Sequence, residues 1–213
     1  NHLFLTKNQV IEYSEMLEKK KQLVFYGPPG TGKTYCAQEI AEFAARTWKK
    51  GRGHVAMVQF HPSYSYESFL EGLRPVTRGG GVSFELTPGV VREVVNAMKQ
   101  QSDIGSPENE YVIVIDEANR ANLPRVLGEL MFLFEYREQE IQLQYSKQFA
   151  LPTNLRFVAT MNTADRSIRG IDAALRRRFE VFEIHPNEEV LKKHYANGAT
   201  SKFPDLIDGF FAL

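Results

Sequence analysis

Hydrophobic and polar positions along the chain alternate between short continuous apolar runs and stretches with helical spacing. The runs are rich in β-branched and aromatic residues and predict buried strands at 22–26, 55–60, 111–115, 155–160 and 179–184. Apolar residues three and four positions apart predict helices at 9–21, 33–48, 66–72, 90–100, 123–136 and 171–178. Strands that alternate with helices in this way are typical of an α/β domain with a mostly parallel sheet.

Two further stretches have a turn-forming or strictly alternating character. Residues 74–89 are rich in glycine and contain Pro75 and Pro88, which predicts a flexible loop or a hairpin. Residues 141–151 begin with alternating apolar and polar side chains, which predicts a second hairpin there.

The composition of the 213-residue chain is that of a folded globular protein, with 43% hydrophobic and 24% charged residues. Its length predicts one large domain, or one domain and a fragment of another. Basic and acidic residues number 26 each, so the formal net charge is zero. This balance argues against a domain that holds nucleic acid by bulk electrostatics. The single cysteine, Cys36, excludes an internal disulfide framework and a multi-cysteine zinc site.

The ends of the chain and its longest apolar runs bear on its location. No run approaches the roughly 18 to 20 apolar residues that span a bilayer, and no secretory signal opens the sequence. We therefore expect a cytoplasmic protein with no membrane partner. The chain begins at Asn1 rather than Met and ends in the apolar residues 210–213, so we expect a fragment of a longer protein.

The strongest chemical signal is the sequence GPPGTGKT at 27–34, which satisfies the phosphate-loop pattern and lies between a predicted strand and a predicted helix. Small residues let consecutive backbone amides point at a phosphate chain, and the helix adds its positive end. Lys33 is placed to reach the β- and γ-phosphates, and the Thr34 hydroxyl to ligate Mg²⁺. The predicted nucleotide-binding residues are Gly27, Pro28, Pro29, Gly30, Thr31, Gly32, Lys33, Thr34 and Tyr35.

A second signal is a pair of carboxylates, Asp116 and Glu117, at the end of the strand predicted at 111–115. Alternation along an extended chain sends the two side chains in different directions. Asp116 is placed to hold Mg²⁺ through water, and Glu117 to polarise an attacking water as general base. A third signal is Asn162, just beyond the strand predicted at 155–160, which is placed to orient that water beside the γ-phosphate.

In this order, the three elements resemble the AAA+ family of ring-forming P-loop NTPases. Longer segments narrow the resemblance to motor subunits of modification-dependent, 5-methylcytosine-specific restriction systems of the McrB type. These segments are QFHPSYSYE at 59–67, DEANRAN at 116–122, MNTADRS at 161–167 and ALRRRF at 174–179. The resemblance implies a three-layer α/β/α P-loop core with a parallel sheet over 1–186, followed by the start of a helical lid over 187–213. The lid is truncated or atypical, because no arginine follows Arg178.

The resemblance also implies roles for further residues. Asn119 and Arg120 correspond to family residues that help to organise the active site, and Asn162 and Asp165 belong to the family signature. Arg176, Arg177 and Arg178 occupy the usual place of an arginine finger, which one subunit of a ring inserts into the site of the next. A guanidinium there neutralises charge that develops on the γ-phosphate, and the sequence does not distinguish which of the three acts.

The function implied by the resemblance is a motor that hydrolyses Mg²⁺-bound GTP, with ATP as a close second, in a hexameric ring. The ring would drive DNA translocation with a McrC-like nuclease subunit, and DNA would be contacted through the full complex. We expect base choice to depend on the segment before the phosphate loop, around residues 3–13. Two alternatives stay open: an ATP-dependent protein remodeller of the MoxR type, and a nucleotide-dependent scaffold with negligible turnover.

Overall fold

The computed structural model describes residues 5–47, 54–78, 81–106, 109–163 and 173–187. Its helices are α1 (Lys7–Lys20), α2 (Lys33–Thr47), α3 (Tyr66–Phe69), α4 (Val90–Gln100), α5 (Leu123–Leu127), α6 (Leu130–Leu133) and α7 (Ala173–Arg178). Its strands are β1 (Gln22–Gly27), β2 (His54–Gln59), β3 (Glu71–Arg78), β4 (Gly81–Pro88), β5 (Tyr111–Asp116), β6 (Leu155–Asn162) and β7 (Glu180–Glu183). The five predicted core strands and the helices before and after β1 are therefore confirmed.

Five parallel strands form the central sheet in the order β2-β5-β6-β1-β7. The chain changes direction across the sheet, so β6 lies between the first strand, β1, and the acidic strand, β5. Hydrophobic side chains of the strands alternate between the two faces. Phe25, Val112 and Val114 pack with α1 and α2 on one face, whereas Val24 and Ile113 pack with α4, α5 and α6 on the other. The α/β/α layering predicted for the core is confirmed.

The first helix begins with a capping box, in which Thr6 and Gln9 each satisfy the other's backbone amide. It ends at Lys21, which adopts a left-handed conformation with φ of 66°. Val10, Tyr13 and Leu17 are buried along one side and pack this helix against the sheet. The helix therefore covers the phosphate-loop half of the sheet, as its apolar spacing predicts.

Two helix boundaries predicted from the sequence differ from the structure. The helix predicted at 66–72 ends at Phe69, because Glu71 and Gly72 pair with β4 in an antiparallel hairpin. Of the two alternatives predicted at 74–89, a loop or a hairpin, the hairpin is confirmed. The helix predicted at 123–136 is broken into α5 and α6 at Gly128, whose φ of 48° a helix cannot accommodate.

The hairpin predicted at 141–151 reduces to an isolated antiparallel bridge between Ile141 and Phe149. Its backbone instead contacts the neighbouring buried carboxylate of Glu71, which accepts a hydrogen bond from the Tyr145 amide and pairs with Arg92 at 2.7 Å. A buried carboxylate needs hydrogen-bond donors, and the Tyr145 amide that donates to Glu71 is therefore not available for a strand ladder.

Within the described ranges, no helix has the length and apolar character needed to cross a membrane. The lid predicted at 187–213 lies outside the described residues except for Asn187, so the domain boundary stays a prediction.

Candidate active site

Three strands end at the same edge of the sheet and bring the predicted site residues together. In the parallel register, Gly27 at the end of β1 pairs with Asn162 on β6. On the other side of β6, the ladder with β5 ends at Ile115 and Ala159, one residue before Asp116 and Thr160. The phosphate loop, the acidic pair and the Asn162 segment therefore converge, as the carboxyl ends of parallel strands do in open α/β sheets.

The phosphate loop adopts its turn through glycines with positive φ. Gly30 and Gly32 have φ of 81° and 82°, a region that other residues rarely enter. The side chain of Lys33 is only 5% exposed, and its Nζ donates to the Pro28 carbonyl at 2.5 Å and lies 3.4 Å from Thr31 Oγ1. Burial lowers the pKa of Lys33, while the carboxylates of Asp116 and Glu117 raise it. The Lys33 side chain is thus folded back, so that its ammonium contacts the loop that would bind a phosphate chain.

Asp116 lies directly against the first turn of the phosphate-loop helix. Its Oδ1 accepts a hydrogen bond from the Thr34 hydroxyl at 2.6 Å and another from the Thr160 hydroxyl at 2.7 Å. The Thr160 hydroxyl in turn accepts a hydrogen bond from the backbone amide of Glu117 at 3.0 Å. Threonines from two different elements therefore fix the carboxylate that the sequence assigns to the metal.

Glu117 has its backbone in the left-handed region, with φ of 52°, and its carboxylate is held on both sides. Its Oε2 accepts from Gln59 Nε2 at 2.9 Å. Its Oε1 lies 3.0 Å from Arg120 Nη2 and 3.4 Å from Asn162 Nδ2. Left-handed conformations in residues other than glycine are costly and cluster at functional sites. In this conformation both carboxylate oxygens are engaged by the protein.

Asn119 joins the acidic pair to the tip of β6. Its Nδ2 donates to the Asn162 carbonyl at 2.8 Å, and its Oδ1 accepts from the Asn162 amide at 3.3 Å. The side-chain amide therefore imitates one more rung of a strand ladder beyond the end of β5. This pairing sets the distance between Glu117 and the Asn162 side chain.

The arginine run on α7 contacts the turn after α6. Arg178 is 12% exposed, its Nε donates to the Met131 carbonyl, and its Nη2 lies 3.3 Å from Glu135 Oε1. Arg177 is 68% exposed and its Nε contacts the same Glu135 oxygen at 2.8 Å. Arg176 is exposed as well. Arg178 thus contacts its own chain, while Arg176 and Arg177 are exposed.

The donor set next to the phosphate loop fits a magnesium ion. Mg²⁺ takes hard oxygen ligands, keeps several waters, and usually binds through one or two protein groups together with phosphates. The Thr34 hydroxyl and the Asp116 carboxylate supply such oxygens within 2.6 Å of each other. Among the described contacts, both hydrogen bonds to Asp116 end on Oδ1, which leaves Oδ2 for a metal-bound water.

Sequence reasoning missed two residues of this site. Gln59 lies at the end of β2 and pairs in register with Asp116, and Thr160 is a polar residue near the end of the buried strand β6. A polar side chain at the end of a predicted strand was the available signal for both, but their partners depend on the strand order. Asp165 lies outside the described residues, and Tyr35 lies on α2 with its ring partly exposed.

The loop, the acidic pair and the strand order together define an α/β P-loop NTPase core. Residues 22–179 match the AAA domain of the dynein-related subfamily. The chain belongs to this AAA+ family, and its motor core is McrB-like.

Relatives of known name support this placement. The chain is 40% identical over 194 residues to the EcoKMcrB subunit of the type IV methyl-directed restriction enzyme of Escherichia coli K12, covering 87% of this chain and 40% of that protein. It is 25% identical over 223 residues to component YdiS of the type II restriction enzyme BsuMI of Bacillus subtilis 168, covering 84% of this chain and 62% of that protein. The chain therefore spans 40% and 62% of the lengths of these two relatives, less than two thirds of each.

A crystal structure of a Cytophaga hutchinsonii protein described as an ATPase has the same fold. It superposes with a TM-score of 0.56 at 14% identity, covering 94% of this chain and 53% of that one. At this identity the likeness concerns the fold alone.

Proposed function

We propose that this chain is the nucleotide-hydrolysing motor of a McrB-like, modification-dependent restriction complex. In this role it hydrolyses Mg²⁺-bound GTP in preference to ATP and drives DNA translocation together with a McrC-like nuclease subunit. The two restriction-enzyme relatives support the biological setting. The observation that carries the chemistry is the convergence of Thr34, Asp116 and Glu117 at one edge of the sheet.

The site residues divide the hydrolytic chemistry among them. Lys33 leaves the Pro28 carbonyl and binds the β- and γ-phosphates, because a phosphate oxygen is a stronger acceptor for an ammonium than a neutral carbonyl. Thr34 and Asp116 would hold Mg²⁺, which when bound neutralises charge on the phosphates. Glu117 accepts the proton of the attacking water, and Asn162 orients that water.

For Glu117 to contact water, one of its oxygens must give up a protein donor. Among the described contacts, the uncharged Gln59 amide is the one donor to Oε2, whereas Oε1 is shared between Arg120 and Asn162. Hydrogen bonds to charged donors are the stronger ones. We therefore assign Oε2 as the oxygen that is released to the water.

The site is completed by an arginine from a neighbouring subunit in a hexameric ring. Of the three candidates on α7, Arg178 binds the Met131 carbonyl of its own chain. Arg177, and with it Arg176, has the exposure that a contact in trans requires. Glu135 holds Arg177 at one nitrogen only, which leaves its terminal nitrogens for a phosphate.

The proposed function is tested by titrating GTP and ATP in parallel against the full-length protein with Mg²⁺. Tighter binding and faster turnover of GTP, and stimulation by the nuclease subunit, are the expected results. Equal affinity for both nucleotides contradicts the GTP assignment. Stimulation by unfolded or assembled protein clients, and none by a nuclease subunit, favours the remodeller of the MoxR type instead.

A further inference from the structure

Thr160 occupies the middle of the site, on the strand that separates the phosphate loop from the acidic pair. In register it pairs with Phe25 of β1 on one side, and it follows the last β5–β6 rung on the other. Its residue surface is 2% exposed, so its hydroxyl is shielded from water. On the same face of β6, two residues further on, lies Asn162.

The directions of the two hydrogen bonds at Thr160 are fixed by chemistry. A backbone amide can only donate, so the Thr160 oxygen accepts from the Glu117 amide. An ionised carboxylate can only accept, so the Thr160 proton goes to Asp116 Oδ1. One hydroxyl therefore connects the carboxylate assigned to the metal with the backbone of the residue assigned as base.

The bond to Asp116 fixes which carboxylate oxygen is turned toward the metal. The Thr34 proton also goes to Oδ1, at 2.6 Å, so donors from α2 and β6 both hold that oxygen. The Thr34 lone pairs and Asp116 Oδ2 are then left together for Mg²⁺ and its water. Without Thr160, Thr34 alone would hold Asp116, and the carboxylate would rotate more freely about its χ2 bond.

The bond from Glu117 stabilises an unfavourable backbone conformation. A non-glycine residue in the left-handed region costs of order 1–3 kcal/mol and persists where its surroundings hold it. Among the described contacts, the Glu117 amide donates to Thr160. Because threonine is branched at Cβ and its χ1 is stiff in a strand, the hydroxyl is a fixed anchor for this turn.

We propose that Thr160 is a positioning residue that aligns Asp116 for the metal and Glu117 for water, through one buried hydroxyl. This assignment rests on the proposed function as a Mg²⁺-dependent NTPase. It predicts that loss of the hydroxyl impairs the metal-dependent steps and spares nucleotide binding that needs no metal.

The test is Thr160→Val, which keeps the shape and removes the hydroxyl, measured in the full-length protein with GTP and with ATP. A hydrogen bond to a charged group corresponds to about a 10- to 100-fold effect. We therefore expect the Mg²⁺ concentration for half-maximal hydrolysis to rise, kcat to fall, or both. The product of the two fold-changes should lie in that range. Nucleotide binding in EDTA should remain at the wild-type level.

Two smaller variants separate positioning from packing. Thr160→Ser keeps the hydroxyl donor and should retain most of the activity. Thr160→Cys has nearly the volume of threonine but only a weak donor, and it should behave like the valine variant. Ser14→Ala, which removes a buried hydroxyl on α1, is the control and should leave the Mg²⁺ dependence unchanged.

The outcomes distinguish the two proposals. The role of Thr160 is overturned if Thr160→Val has wild-type Mg²⁺ dependence and turnover, or if the serine and cysteine variants lose equal activity. Either result leaves the proposed function unaffected. Absence of Mg²⁺-dependent hydrolysis in the wild-type protein overturns the proposed function, and the assignment with it. If the valine variant fails to fold, the comparison of serine with cysteine decides.

Discussion

At the scale of single residues, Glu117 combines a strained backbone with a carboxylate that the protein itself occupies. Gln59, Arg120 and Asn162 together satisfy both of its oxygens. A general base needs an oxygen within hydrogen-bond reach of water, so for the base proposed at Glu117 the described conformation is a resting one. Gln59 and Asn162 come from β2 and β6, the strands on either side of β5, so a shift of either strand end would change the contacts of the Glu117 carboxylate.

The role of Glu117 predicts the behaviour of Glu117→Gln. The amide is nearly isosteric but cannot accept a proton, so turnover should fall about 10²- to 10⁴-fold, the range typical of general acid–base catalysis. Nucleotide affinity should stay close to wild type, because Lys33 and Thr34 are untouched. Single-turnover hydrolysis and equilibrium binding measure the two quantities.

Glu140→Gln is the matched control, since Glu140 is exposed and lies in the loop after α6. It should leave both quantities unchanged. Substantial residual hydrolysis in Glu117→Gln, at wild-type binding, would remove Glu117 as the base.

At the scale of elements, the site depends on how closely the ends of β1 and β7 approach. The Ile184 amide donates to the Tyr26 carbonyl at 2.8 Å, and the Thr163 amide donates to the Gly27 carbonyl at 3.0 Å. A Cβ atom on Gly27 would lie 2.2 Å from the Ile184 carbonyl oxygen. Glycine at the first position of the phosphate loop is therefore needed for strand packing as well as for the turn.

This packing predicts that Gly27→Ala destabilises the domain more than Gly30→Ala does. Both glycines have positive φ, but a Cβ on Gly30 meets no atom within 4 Å. Overpacking costs about 1–3 kcal/mol beyond the conformational strain, so Gly27→Ala should have the lower free energy of unfolding by about that amount. Denaturant unfolding of both variants measures the difference, and equal losses would contradict the proposed clash.

The elements also show what the sequence can predict. Strands and the phosphate-loop helix follow from local hydrophobic spacing, Lys33 follows from the phosphate-loop pattern, and Asp116 and Asn162 follow from their places at strand ends. Gln59 and Thr160 could not be assigned, because their contacts exist only once β2, β5 and β6 are neighbours. Gly128 breaks the predicted long helix through its φ of 48°, and a Cβ there would meet the Tyr66 ring at 2.8 Å, so the position is fixed by a tertiary contact without a local signal.

At the scale of the whole molecule, the zero net charge averages over separated local charges. Acidic side chains collect at the carboxyl edge of β5, and arginines collect on α7 beside the turn that carries Glu135. A subunit that carries the proposed metal site in one place and exposed arginines in another suits a head-to-tail assembly, in which the two contacting surfaces of neighbouring subunits are different. The charge balance and the proposed ring are therefore compatible.

The proposed contact in trans predicts that two inactive variants regain hydrolysis when they are mixed in one ring. A Lys33→Ala subunit lacks the phosphate-binding ammonium but keeps Arg177, and an Arg177→Ala subunit has the reverse. When the two variants are mixed in equal amounts in a closed ring, roughly a quarter of the interfaces join a subunit with an intact Lys33 to a neighbour with an intact Arg177. Because an arginine finger contributes about 10³- to 10⁵-fold to kcat, each variant alone should be nearly inactive. The mixture should then approach a quarter of the wild-type rate.

The control for this mixing experiment is Arg178→Ala in place of Arg177→Ala. Arg178 binds Met131 and Glu135 of its own chain, so its loss should lower the free energy of unfolding rather than create a defect that a neighbour can cure. If Arg178→Ala complements Lys33→Ala and Arg177→Ala does not, the finger is Arg178 and the contact with Met131 must break on assembly. If neither complements, although mixed rings are confirmed by their mass, then neither Arg177 nor Arg178 acts in trans, and of the three arginines on α7 only Arg176 is left as the finger.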